Sequence, residues 1–255
     1  MPWNPELYDQ YKDVRYKPFY DLAALIRFED ITNAIDLGCG TGEQTAILSE
    51  KLKNTSFLGI DSSAEMLKDA KKFENNHLRF KQQSIEETLN NNDKWDLIFS
   101  NAALQWVDNH ESLLPKIINT LPSNGQLAIQ MPLQNENILN MLLMDLIAEE
   151  PFVTQLNHFK RTSPVLSMDA YAQILFDNDM TDIEIFQKVY PIIAPNTETL
   201  YAFISSTALL PYLDRLENDQ KELFIAAFKK RIANTFTKYP AIYAFKRILM
   251  FARKK

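Results

Sequence analysis

Gly38, Gly40 and Gly42 stand in the run Ile35-Asp36-Leu37-Gly38-Cys39-Gly40-Thr41-Gly42 and make up three of the five glycines in the chain. Residues without a Cβ let backbone N–H groups come close to a ligand, so a glycine turn between a strand and a helix forms a nucleotide-binding unit. Both flanks are present. Asn33-Ala34-Ile35 reads as a short buried strand, and 43–52 carries Ala46, Ile47 and Leu52 at helical spacing. Roughly twenty positions past the turn, Asp61 closes a second apolar run, Ser56-Phe57-Leu58-Gly59-Ile60. A carboxylate at that distance accepts the hydroxyls of a ribose.

A dinucleotide fingerprint, G-x-G-x-x-G, has its third glycine one residue later than this chain does. An NAD-dependent oxidoreductase is disfavoured on that ground. The spacing here, preceded by Asp36, resembles the first motif of class I S-adenosylmethionine-dependent methyltransferases. The resemblance implies a Rossmann-like α/β fold with a mostly parallel sheet flanked by helices. In such proteins Asp36 would hold the methionine ammonium of the cofactor, and Gly38 and Gly40 would admit its methionine and ribose parts. Asp61 and Ser62 would take the ribose, and Met66 would cover one face of adenine. Ser84 and Ile85 fall where an acid usually meets the adenine amino group, and serine there brings a hydrogen bond without a charge. Asn101 would offer its carbonyl to the ammonium. Gln105 and Trp106 would face the sulfonium, where an aromatic ring is favourable by about 0.5–2 kcal/mol.

Longer segments narrow the resemblance. The opening Trp3-Asn4-Pro5-Glu6-Leu7-Tyr8, then Arg15-Tyr16-Lys17-Pro18, Asn101-Ala102-Ala103-Leu104-Gln105-Trp106, Gln130-Met131-Pro132 and Phe245-Lys246-Arg247 are similar to the trans-aconitate 2-methyltransferase family. That family esterifies a carboxylate of a small organic acid. The likeness implies that Arg15 contacts the cofactor carboxylate. It gives Trp3, Tyr8, Gln105, Trp106, Tyr190, Tyr212 and Arg247 to the substrate side. The family has an arginine in a G-L-R-P stretch, whereas this chain reads Ala208-Leu209-Leu210-Pro211. A charged donor for a polyanion is missing at Leu210, so a less charged acid would fit better there, with Arg247, Arg215 or Lys17 as the remaining cations.

The elements that must position these residues alternate as a doubly wound sheet requires. Further strands are expected at 78–82, 95–101 and 125–131, and helices at 64–73, capped by Ser63, and at 109–121. The N-terminal helix and cofactor core occupy 1–132. From 133 to 255, helices at 138–149, 168–176, 197–208 and 219–236 interrupt two late strands at 182–193 and 242–252, as a helical cap inserted in one structural unit. A cap at the carboxyl ends of the strands would roof a pocket.

Composition restricts the alternatives. At 255 residues with 46% hydrophobic content the chain can bury a large core, and a net charge of −6 argues against a nucleic-acid surface. The one cysteine, Cys39, suits a reducing compartment and reads as a small filler in the turn. The opening has no basic stretch followed by an apolar run, and the apolar stretch 141–148 is too short to span a bilayer. His77, His110 and His158 lie too far apart to suggest a metal site. The expectation is a cytoplasmic monomer that binds S-adenosylmethionine and a small carboxylic acid, without nucleic acid, membrane or metal. A carboxylate is already an anion, so no general base is expected and catalysis would rest on positioning. A malonyl-carrier carboxyl methyltransferase and a catalytically idle cofactor-binding module are the rival readings.

Overall fold

A computed structural model describes residues 12–91, 93–205 and 207–255, and the side chains of residues 12–15 lie outside that description. Helix α1 (Lys12–Ala23) leads into strand β1 (Asn33–Leu37), then α2 (Glu43–Lys51), β2 (Ser56–Asp61), α3 (Ala64–Ala70), β3 (Leu78–Gln82), α4 (Ile85–Leu89), β4 (Leu97–Asn101), α5 (His110–Ile118) and β5 (Gln126–Pro132). Beyond these come α6 (Ile138–Ile147), α7 (Phe152–Gln155), α8 (Met168–Asp177), β6 (Met180–Ala194), α9 (Thr197–Ser205), α10 (Leu210–Leu213), α11 (Asn218–Thr235) and β7 (Ala241–Lys254). The seven strands form one sheet in the order β3-β2-β1-β4-β5-β7-β6. The first five pair in parallel, and β7 runs antiparallel to β5. This is the mostly parallel, helix-flanked sheet that the alternation of elements requires and the class I methyltransferase resemblance implies.

The sequence explains this order. Leu97-Ile98-Phe99-Ser100 and the whole of β5 up to Met131 are buried, as strands covered by helices on both faces must be. Strand β3, at the sheet edge, exposes Arg79, Lys81 and Gln82, and charge on an edge discourages pairing with another chain. The order reverses between β1 and β4, which creates a crevice at their carboxyl ends.

Several boundaries differ from the sequence reading. The helix expected over 64–73 ends at Ala70, and its last turn tightens to a 3₁₀ helix (Lys71–Phe73). Helix 197–208 stops at Ser205, and α10 restarts at Leu210 because Pro211, which has no N–H to satisfy, fits a first turn. The late strands are longer than expected, at Met180–Ala194 and Ala241–Lys254.

The chain divides into two compact units. One comprises 18–132, 164–188 and 247–255. The other comprises 133–163 and 189–246, together with the described residues before Pro18. The second has its own apolar core, in which Leu139, Leu143, Phe203, Phe224, Phe228 and Tyr243 are buried together. Phe152 and Phe224 meet edge to face in it, with ring centroids 5.1 Å apart. Among the described residues no helix is long and apolar enough to cross a membrane.

Candidate functional site

The turn after β1 is built around a left-handed backbone. Gly38 has φ +85° and Gly40 φ +56°, values that cost an L-residue roughly 1–2 kcal/mol each. At Gly38 a Cβ would lie 2.2 Å from the Cβ of Ala103, so the turn after β1 packs directly on the turn after β4. At Gly40 a Cβ would meet no atom within 4 Å. The backbone there fronts open space, as a cradle for a ligand requires.

Asp61 holds this turn in place. Its Oδ2 accepts the Gly40 N–H at 2.9 Å, and its Oδ1 accepts the N–H of Ser63 at 2.8 Å. The N–H groups of Gly38 and Cys39 both donate to the Ile60 carbonyl, at 2.9 and 2.8 Å. Each Asp61 oxygen uses one acceptor direction in this way and keeps another. The side chain of Ser63 caps α3 by accepting from Met66 N at 3.3 Å, as the sequence suggested.

Asp36 is the electrostatic centre of the crevice. It is buried, its Oδ2 accepts the Thr45 hydroxyl at 2.6 Å, and its Oδ1 finds no hydrogen-bond partner among the described residues. Burial pushes its pKa up to about 7; the Thr45 hydrogen bond opposes that rise and the Asp61 charge adds to it. Cys39 lies beside these carboxylates, and burial together with their charges holds its thiol protonated. A filler role fits this better than a nucleophile's.

The end of β4 forms the facing wall. The Ser100 hydroxyl donates to Leu37 O at 2.8 Å and Asn101 Nδ2 to Gln44 Oε1 at 2.8 Å. Asn101 Oδ1 is buried without a partner among the described residues. Ala102 takes a left-handed φ of 57° and donates its N–H to Gln130 O at 2.9 Å. A non-glycine residue held in that region stores on the order of 1–3 kcal/mol, a feature common at functional sites. Next come Gln105, buried and donating to Ala102 O at 2.7 Å, and Trp106, 40% exposed. That exposure excludes Trp106 from the core, the other role open to it from sequence.

Asp36, Gly38, Gly40, Asp61, Ser62, Met66, Ser84, Ile85, Asn101, Gln105, Trp106 and Arg247 all fall in the sheet-based unit. Ser84 has a structural duty that the sequence reading passed over. It caps α4, accepting from Glu87 N at 3.1 Å while Glu87 Oε2 accepts its own N–H at 2.9 Å. Arg247 is buried and donates from Nη1 to Gln130 Oε1 at 2.7 Å. Gln130 Nε2, also buried, has no partner among the described residues. Gln44, Thr45 and Gln130 were not assigned from sequence; a glutamine inside the apolar run Leu127-Ala128-Ile129-Gln130-Met131 was the available signal.

Tyr190 and Tyr212 belong to the other unit. Both are buried, and the Tyr212 hydroxyl accepts the Arg161 N–H at 3.2 Å. Arg215 stacks on Phe159, 3.6 Å from the ring centroid, and donates to Pro211 O at 2.7 Å. Trp3 and Tyr8 lie outside the described residues, as does the side chain of Arg15.

Residues 29–242 match a family model described as a methyltransferase domain. A trans-aconitate 2-methyltransferase of Deinococcus radiodurans is 39% identical over 260 aligned residues, which cover 100% of this chain and 99% of that protein. Among solved structures, the YcgJ protein of Bacillus subtilis is similar with a TM-score of 0.60 at 15% identity, covering 94% of this chain and 99% of that one. Phosphoethanolamine N-methyltransferase 2 of Haemonchus contortus, solved with S-adenosyl-L-methionine, is similar with a TM-score of 0.54 at 16% identity, covering 95% of this chain and 56% of that one.

Proposed function

The chain belongs to the trans-aconitate 2-methyltransferase family of S-adenosylmethionine-dependent methyltransferases, and on that premise we propose that it esterifies a carboxylate of trans-aconitate or a closely related small organic acid. The observation that carries this reading is the pairing of Asp36, buried with one unpartnered oxygen, with the open, left-handed turn at Gly40. An ammonium-bearing ribonucleoside fits that pair. Asp36 Oδ1 takes the ammonium with Asn101, and the remaining acceptor directions of Asp61, with Ser62, take the ribose hydroxyls. Met66, Ser84 and Ile85 border the base. When bound, S-adenosylmethionine supplies an electrophilic methyl group on a sulfonium.

The chain itself needs no proton-transfer residue, because a carboxylate attacks as the anion it already is. Its contribution is alignment, for which about 7–11 kcal/mol is available when two reactants are held in register. Arg247, oriented by Gln130, anchors the acid. Gln105 and Trp106 border the reacting centre. Leu210 stands where the family resemblance implies an arginine, and its lack of charge favours an acid of lower charge over a tricarboxylate.

Purified protein, S-adenosylmethionine and a panel of trans-aconitate, monocarboxylic acids and carrier-linked acids, read for methyl esters by mass spectrometry, test the proposal. The expected result is ester formation that collapses in Asp61→Ala. Cofactor binding with no ester from any acid would overturn it in favour of an idle binding module, and ester only from carrier-linked acids would favour that rival.

A further inference from the structure

A buried chain of hydrogen bonds runs behind the turn that carries Gln105 and Trp106, and its members have no part in the chemistry above. His110 is 1% exposed and Tyr171 fully buried. His110 Nε2 lies 3.0 Å from Leu104 O, and Nδ1 lies 2.6 Å from the Tyr171 hydroxyl. The Tyr171 oxygen in turn accepts the Leu166 N–H at 3.0 Å.

For a neutral imidazole, the chemistry of the groups fixes each direction. A carbonyl only accepts, so Nε2 carries the imidazole proton and donates to Leu104. In the neutral ring Nδ1 must then accept, and the tyrosine hydroxyl donates to it. Burial raises the Tyr171 pKa well above its ordinary value, which keeps that proton in place. The order Leu166 N–H to Tyr171, Tyr171 O–H to His110 and His110 N–H to Leu104 O satisfies each group.

The geometry points to His110 and Tyr171 as positioning residues that set the Leu104–Trp106 turn and, resting on the function proposed above, align the acid. Within the turn, Trp106 N donates to Ala103 O at 3.0 Å, Val107 N to Leu104 O at 2.9 Å and Gln105 Nε2 to Ala102 O. These bonds close a 3₁₀ turn. The His110 bond ties it to α5, and Tyr171 ties α5 to α8. Without the tyrosine hydroxyl, Nδ1 loses its donor and the tautomer that serves Leu104 is no longer enforced.

Tyr171→Phe and His110→Leu should lower kcat/KM for the acid roughly ten- to a hundredfold, the scale of a slightly misplaced reactant, and change the cofactor Kd by a much smaller factor. His110→Gln, whose amide can still donate to Leu104, should recover most of the loss. A second readout is independent of turnover. In protein labelled with 5-fluorotryptophan, the Trp106 fluorine signal should move in Tyr171→Phe while that of Trp95, buried in the same unit, stays. A fixed Trp106 signal, or Trp95 and Trp106 signals moving together, would overturn the inference. So would equal losses in His110→Leu and His110→Gln, which also decide the matter should Tyr171→Phe fail to fold. Absence of ester in the unsubstituted protein would count against the acid, and the fluorine signals would still judge the relay.

Discussion

Replacing Asp36 by asparagine should abolish a specific pH dependence. The folded protein raises this carboxyl from 3.8 to about 7, with burial as the largest cause. Between these values the unfolded chain has released its proton and the folded chain has not. Unfolding therefore releases a proton, and stability falls as pH rises across the window. Above about pH 7 the penalty is constant, on the order of 4 kcal/mol at 1.36 kcal/mol per unit. Asparagine keeps an acceptor for Thr45 but leaves its amide N–H groups without partners, at a cost of about 1–3 kcal/mol. Asp36→Asn should therefore be more stable than the parent at pH 8 by roughly 1–3 kcal/mol, a rise in Tm of several degrees for a chain of this size. Near pH 4 it should be less stable. Cofactor binding should move the other way. An ammonium favours the charged carboxylate, so affinity in the parent should climb by up to about tenfold per pH unit below 7 and then level off. In Asp36→Asn it should be weak and flat. Urea unfolding and calorimetric titration between pH 4 and 8 measure both. Parallel stability curves for the two proteins would refute the reasoning, because no other cause for the slope has been removed. The dependence should also appear in kcat/KM for the cofactor and vanish from kcat at saturation, since the transfer step proposed above employs no base.

Gly40→Ala should fold with a stability loss of about 1–2 kcal/mol from the left-handed backbone alone, yet bind cofactor at least tenfold more weakly, because the methyl enters the open cradle. Gly38→Ala should lose more stability than Gly40→Ala in thermal melts, since its methyl must displace Ala103. Arg247→Met should raise KM for the acid roughly tenfold or more, the loss of a charged hydrogen bond, with the cofactor Kd unchanged. Leu210→Arg should shift the preference in competition assays toward acids with more carboxylates, and an unchanged preference would remove this position from the specificity argument.

The parallel core was legible because its signals are local. A glycine turn between two apolar runs, with Asp61 at the end of the second, needs no distant partner to be interpreted. The breaks were less legible. The one-turn helix α4 went unassigned although Ser84 and Glu87 form the S-x-x-E pattern of a capping box. Ser84 therefore carries a cofactor-side reading from the resemblance and a capping role from the structure. The two readings are compatible, because the hydroxyl oxygen has two acceptor directions: one takes the Glu87 N–H and the other is left for an amino group.

The His110 relay was illegible for a different reason. His110 and Tyr171 are 61 positions apart, and nothing in either neighbourhood signals that the topology brings α5 and α8 together. In the sequence, a histidine without neighbours to coordinate a metal shows only what it does not do. Burial reverses that inference: a buried imidazole must satisfy two nitrogens, and satisfying both here fixes a tautomer and a direction. The same argument applies to Gln130, which looks like a polar interruption in an apolar strand until Arg247 is found against its oxygen. In this fold the residues that would touch ligands follow the ends of strands and can be read in order along the chain. Those that aim them lie on neighbouring strands and helices, where only the fold connects them.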